Sequence, residues 1–235
     1  MNFANSFTTE KLQEAWDLIR SEFLLATWQT LYVTILSTLF AILIGMPLGM
    51  ILVVGDKKGI SPWPQPVIKA INVIINLLRS VPFLILVVVV IPLTRVIVGT
   101  AVGDVASIVP LVIAAFPFIA RLVEGSLREV NPNIIEAAQS MGATPMQILF
   151  RVMLPESVPS LITNFTLAIT TILGYTAMSG AVGGGGLGKI AITWGYNRYR
   201  YAILYAAVIL LVVLVQLFQT VGSYLARKCD KRLRT

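Results

Sequence analysis

Asn131-Pro132-Asn133-Ile134-Ile135-Glu136-Ala137-Ala138-Gln139-Ser140-Met141-Gly142-Ala143-Thr144-Pro145, continued through Gln147 to Leu154-Pro155, is a polar, punctuated stretch between two strongly apolar ones. Asn131 reads as a helix cap and Pro132 as a first helical residue, because the N–H that proline lacks has no intrahelical partner there. Gly142 supplies the left-handed residue that ends this helix. Thr144-Pro145 repeats the cap and first position, Gln147 to Met153 form a second short helix, and Pro155 stops it. Ile134, Ile135, Ala138 and Met141 are expected to pack, while Glu136 and Gln139 stay polar. Amphipathicity alone describes an ordinary loop. Its position between apolar segments makes it a docking part at a membrane surface, gripped by a soluble partner while the flanking spans carry motion inward.

The surrounding chain is 57% hydrophobic and 12% charged, with a mean hydropathy of +0.84. That exceeds what a water-exposed surface carries, so residues 1–235 are expected to form one all-α integral membrane domain with no appended ATPase. There is no His, and Cys229 is the single cysteine. A disulfide framework and Cys/His metal sites within the chain are thereby excluded, and Cys229 reads as a free thiol on a reducing side. No cofactor and no nucleic-acid partner are expected; membrane lipids are.

Crossing a bilayer takes about 17 to 25 helical residues. Uncharged runs of that order occur at Trp28 to Val54, Ser157 to Gly188 and Tyr201 to Ala226. A fourth span begins at Val105, flanked by Asp104 and Arg121, whose side chains can snorkel outward. Val67 to Leu93, interrupted only by Lys69 and Arg79, reads as a fifth. The expected spans are therefore about 28–54, 67–93, 105–125, 157–183 and 201–226, with a cytoplasmic segment at 129–155. Lys and Arg near the membrane number eleven on the side holding that segment and the C-terminus, against six on the other, with Arg79 unplaced. By the positive-inside rule the richer side is cytoplasmic and the N-terminus lies outside. Trp194, Tyr196, Tyr199, Tyr201 and Tyr205 fit an outer aromatic belt. Residues 1–25, with Leu12, Ala15, Trp16, Ile19 and Phe23 on one helical face, read as an outer interfacial helix rather than a cleaved signal peptide.

Glu136, Ala137, Ala138, Gly142, Val152, Leu154 and Pro155 stand in the pattern E-A-A, three residues, G, nine residues, an aliphatic, one residue, L-P. It resembles the signature of binding-protein-dependent ABC importer permeases, departing only at Val152, where Ile is usual. The resemblance implies the type I ABC importer permease fold: five transmembrane helices with a cytoplasmic coupling helix-turn-helix that fits a cleft in the ATPase. Over most of residues 28–225 the chain resembles the methionine-importing branch. The stretches that carry this are Arg79-Ser80-Val81-Pro82-Phe83, Ile91 to Thr100, Met141 to Ile148 and Gly174 to Gly183. That likeness implies a permease homodimer with two copies of a cytoplasmic ABC ATPase and an extracellular or periplasmic methionine-binding protein, in a bacterial inner membrane.

Two nucleotide motifs fail. Gly183, Gly188 and Lys189 match a P-loop, but Ile190 stands where the magnesium-binding Ser or Thr belongs. Gly183, Gly185 and Gly188 match a dinucleotide fingerprint with no acidic residue about twenty positions on. This segment is expected to be a flexible outer turn. Ala41, Gly45 and Gly49 form a small-residue face on the first span, suited to close helix packing, and Pro47 bends it. Arg79 either faces a cavity or snorkels to the headgroups because its span begins near Val81, with Pro82 favouring a break. From their place in the resembling stretch, Tyr175, Met178 and Ser179 are candidates to line a translocation path; an adaptable thioether wall suits a thioether substrate, although ordinary helix packing is the commoner reason for a Met such as Met178.

No catalytic constellation is present, so the chain is expected to be a conduit and not an enzyme, with ATP hydrolysed by a separate subunit. An ion-coupled transporter would place ionisable groups near the midplane. Here all eleven Asp and Glu lie at span ends or outside. A passive membrane anchor would have no use for the long signature. Within the family, the competing reading is a permease for another amino acid, since composition alone says nothing about methionine.

Overall fold

The computed structural model describes the backbone of residues 9–230 and the side chains of residues 21–230. The helices are α1 (Thr9–Val54), α2 (Gln65–Ser80), α3 (Phe83–Val98), α4 (Asp104–Arg128), α5 (Pro132–Ser140), α6 (Pro145–Gln147), α7 (Leu154–Ser179), α8 (Gly186–Lys189) and α9 (Tyr201–Cys229). π-Helical stretches cover Ile148–Met153 and Ile190–Tyr196. Apolar side chains crowd the exterior, with Val96 83% and Ile209 63% exposed, which a bilayer tolerates and water does not.

Among the described residues, four helices are long and apolar enough to cross a membrane: Ser21–Val54 within α1, α4, the run Pro145–Val182, and α9. The expected span at 67–93 is not one helix. It breaks at Val81-Pro82, and α2 and α3 are bent by 112°. Pro82 caps α3 in an extended conformation and forces its predecessor out of the helical region, so Val81 sits at ψ 125°. The total is five only if this broken pair counts as one span.

The N-terminal expectation also changes. Residues 9–54 form one continuous helix, so no break separates an interfacial segment from the first span. The side chains of Leu12, Ala15, Trp16 and Ile19 lie outside the described residues.

The helices build two compact units. Among the described residues, one comprises 9–38, Pro82–Val112 and Ile169–Phe218. Its core joins Phe23 and Ala26 of α1, Leu173 of α7, Leu187, Ile190 and Ala191 of the glycine-rich hairpin after α7, and Ile203, Ala207 and Leu214 of α9. Within this unit the glycine-rich hairpin is locked in place rather than flexible. Gln29 Oε1 accepts from the Gly186 N–H at 3.1 Å and Thr30 Oγ1 from the Leu187 N–H at 2.9 Å. Gly183 O accepts from the Gly103 N–H at 2.9 Å. Irregular backbone needs such partners wherever water is scarce. Leu187 is fully buried, which leaves no open phosphate cradle.

The other unit comprises Leu39–Val81, Ile113–Ala168 and the chain from Gln219 on. Leu52, Ile68, Ile75 and Ala120 form its core. The small-residue face of α1 packs as expected. A Cβ on Gly45 would lie 2.6 Å from the Phe116 carbonyl oxygen, and one on Gly49 2.6 Å from that of Ala120. Gly45→Val is therefore predicted to cost about 1–3 kcal/mol, the usual penalty for overpacking. Thermal unfolding of the purified subunit checks this, with Gly125→Ala as the neutral control, since a Cβ there meets nothing within 4 Å.

Candidate functional site

The polar segment folds as two capped turns. Asn131 Oδ1 accepts from the Asn133 N–H at 3.0 Å, and Pro132 opens α5. Gly142 has φ +79°, which glycine adopts without steric cost. The Gly142 N–H then donates to Gln139 O at 2.9 Å and the Ala143 N–H to Ala138 O at 3.1 Å. These bonds satisfy carbonyls that a helix end leaves orphaned, the Schellman arrangement. Thr144 and Gln147 form a reciprocal capping box: the Gln147 N–H donates to Thr144 Oγ1 at 3.4 Å, and the Thr144 N–H to Gln147 Oε1 at 2.9 Å. The Thr-x-x-Gln spacing carried that signal in the sequence.

Pro155 does not stop the second helix. α6 passes into the π-helical stretch Ile148–Met153 and on into α7 without a break, and Pro155 is the second residue of α7. The Leu154 N–H bonds to Leu149 O, five residues back. An α-helix has no room for a proline ring against the preceding turn, and the wider π turn relieves that clash. The second half of the signature, Val152, Leu154 and Pro155, thus becomes the root of a membrane-length helix.

Packing within the segment differs from the amphipathic expectation. Ala138 is buried and Ile135 partly so, but Met141 is 81% exposed and Ile134 41%. Met146 and Phe150 are also exposed, as are Glu136, Ala137 and Gly142. Flexible thioethers and an aromatic ring beside a carboxylate compose an adaptable surface for a protein partner.

The path candidates are not equivalent. Tyr175 stacks on Phe83 with centroids 4.6 Å apart and planes 7° from parallel. Met178 is half exposed, on the same helical face as the exposed Gly174. Ser179 is buried, and its hydroxyl donates to Thr176 O at 2.7 Å. Its own carbonyl accepts from the Gly184 N–H at 2.9 Å. Arg79 lies exposed in the last turn of α2, two residues before the break at Val81-Pro82.

In the unit that holds Ile113–Ala168, a cavity of about 480 Å³ is lined by Ser126 of α4, by Glu156, Ser157, Ser160 and Asn164 of α7 and by Arg227 of α9. Asn164 Nδ2 donates to Ser126 Oγ at 2.8 Å and Ser160 Oγ to the same oxygen at 3.1 Å. Among the described residues, no group of three or more His, Cys, Asp or Glu is placed to hold a metal ion.

The family model described as "Binding-protein-dependent transport system inner membrane component" matches residues 45–235. The chain belongs to this permease family. The permease is 47% identical over 218 residues to the probable D-methionine transport system permease protein MetI of Vibrio cholerae, covering 92% of this chain and 96% of that one. It is 38% identical to the methionine import system permease protein MetP of Bacillus subtilis, covering 98% of this chain and all of the other. Among solved structures, a chain of the inward-facing MetNI methionine ABC transporter superposes with a TM-score of 0.85 at 45% identity, covering 87% of the permease and 94% of that chain. An amino acid ABC transporter crystallised with histidines matches at 19% identity and a TM-score of 0.73, which speaks to the fold alone.

Proposed function

We propose that this permease is the membrane-spanning subunit of an ATP-driven importer that moves methionine into the cell by alternating access. The reading rests above all on the MetNI likeness, 45% identity at a TM-score of 0.85. It works as a homodimer with two cytoplasmic ATPase subunits and an extracellular or periplasmic methionine-binding protein. α2 and α3 together act as one of five spans, the N-terminus lies outside and the C-terminus in the cytoplasm. The Glu136-Ala137-Ala138 turn, Gly142 and the exposed Met141 form the coupling surface on which the ATPase bears. Val152, Leu154 and Pro155 pass that load into α7.

Met178 and Tyr175 face the path, with Phe83 holding the Tyr175 ring, while Ser179 fixes the turn behind them. Arg79 reaches the cytoplasmic headgroups from the end of α2, a placement favoured by the break at Val81-Pro82. ATP-driven closure favours the outward-facing state, and release of hydrolysis products restores the inward one. Transport then follows because substrate binds the two states with different affinity.

Proteoliposomes holding the permease, its ATPase and its binding protein test the reading. Labelled methionine is expected to accumulate only with ATP inside, against competition by other amino acids. ATP-driven uptake of a different amino acid with methionine excluded overturns the substrate. Uptake without the ATPase overturns the mechanism.

A further inference from the structure

α4 carries Arg121, Glu124 and Arg128 at spacings of three and four residues, which place all three on one helical face. Glu124 Oε2 accepts from Arg121 Nη1 at 2.6 Å, and Oε1 accepts from Arg128 Nε at 3.1 Å and Nη2 at 3.0 Å. Both arginines then reach a second element. Arg128 Nη2 donates to Asp56 Oδ2 at 2.8 Å, in the loop after α1, and Arg121 Nη2 donates to Asn76 Oδ1 of α2 at 2.9 Å. Two cations and two anions balance, and the Glu124 side chain is only 13% exposed. Leu52, Ile68, Ile75 and Ala120 pack the same three elements together.

The position of this network gives it a mechanical consequence. After Arg128 only Glu129 and Val130 precede the Asn131 cap of α5. A cavity of about 520 Å³ is lined both by Asp56, Lys58 and Ile60 of the loop after α1 and by Ile135, Glu136 and Gln139 of α5, with Arg128 on its wall. The charged contacts at the foot of α4 thus tie that loop to the helix from which α5 continues.

We propose that the Glu124-centred network is a latch that makes the end of α1, α2 and α4 move as one body with α5, so that force received at the coupling turn opens the path instead of bending the α4–α5 link. The proposal rests on the importer reading above. Asp56 and Arg128 are partly exposed, so solvent screens their pair and it adds little to stability. Its loss is expected to appear in coupling and not in folding.

The test uses the complete complex in proteoliposomes and measures methionine uptake per ATP hydrolysed for Asp56→Asn, Glu124→Gln and the charge-conserving Asp56→Glu. In Asp56→Asn and Glu124→Gln the ratio is expected to fall about tenfold, in the range of ordinary coupling energies, while hydrolysis continues. Asp56→Glu, which keeps a carboxylate for Arg128, is expected to hold it near the wild-type value. An unchanged ratio in Asp56→Asn overturns the latch, as does an Asp56→Glu variant as uncoupled as Asp56→Asn. Should Glu124→Gln fail to assemble, the two Asp56 variants decide alone. Wild-type uptake in the same vesicles reports on the importer reading separately, because failure there would be failure of the substrate and not of the latch.

Discussion

Gly188→Ala is expected to abolish the folded glycine-rich hairpin and, with it, a subunit that survives extraction from the membrane. A Cβ at residue 188 would lie 2.1 Å from the carbonyl oxygen of Ala177 and 2.6 Å from its Cα. Both atoms belong to the backbone of α7, which no rotamer change moves. Gly180 faces the same constraint from the other side, 2.3 Å from the Lys189 nitrogen and 2.4 Å from the Gly188 carbonyl carbon. Two backbones pass here at a separation that only glycine permits. Overpacking a core normally costs about 1–3 kcal/mol, and a clash with main chain belongs at or above the top of that range. The hydrogen bonds from the hairpin to Gln29 and Thr30 would be lost together, because they depend on the same register. Thermal unfolding in detergent measures the effect, with Gly174→Ala as comparison, since a Cβ there meets nothing within 4 Å. Equal unfolding midpoints for the two variants would refute close packing as the reason for Gly188.

The same hairpin marks the limit of what the sequence discloses. Four consecutive glycines from Gly183 to Gly186 suggest freedom, and the segment is instead among the most tightly packed. Glycine serves both loose chain and close approach, and only the partner surface distinguishes them. Where structure is dictated locally, the sequence is legible: the Asn131 and Thr144 caps, the left-handed Gly142 and the Gly45–Gly49 face all follow from residues within one turn of each other or on one helical face. The continuous α1 and the π-helical route past Pro155 are not, since each depends on what the chain packs against. Charge patterning sits between these cases. Arg121, Glu124 and Arg128 declare themselves by spacing, but nothing local ties Asp56 or Asn76 to them, 72 and 45 residues away along the chain.

Gly142→Asp and Glu136→Lys are predicted to abolish transport while the subunit remains in the membrane, and Gly142→Asn separates the two physical reasons for a glycine at this point. At φ +79° an L-residue is strained, by roughly 1–2 kcal/mol for most side chains and by less for Asn and Asp. No atom of the permease lies within 4 Å of a Cβ built on Gly142. Backbone conformation alone would therefore let Gly142→Asn fold and work nearly normally. A docking surface predicts otherwise, because a partner seated against the turn would meet the added side chain whether or not the turn still forms. Loss of a central contact in an interface commonly costs about 2 kcal/mol or more, which corresponds to roughly thirty-fold in affinity. Gly142→Asn is accordingly expected to reduce co-purification of the ATPase and to bring uptake down by about that factor, and Gly142→Asp, which adds a charge to the added bulk, to abolish it, with thermal unfolding of the isolated subunit lowered only slightly in either. Glu136→Lys acts through charge: the carboxylate is exposed on α5 beside Ile135 and Gln139, and reversing it places a cation against whatever donor the partner offers. Normal ATPase capture and normal uptake by Gly142→Asn would reduce this glycine to a helix terminator and overturn its place in the proposed coupling surface.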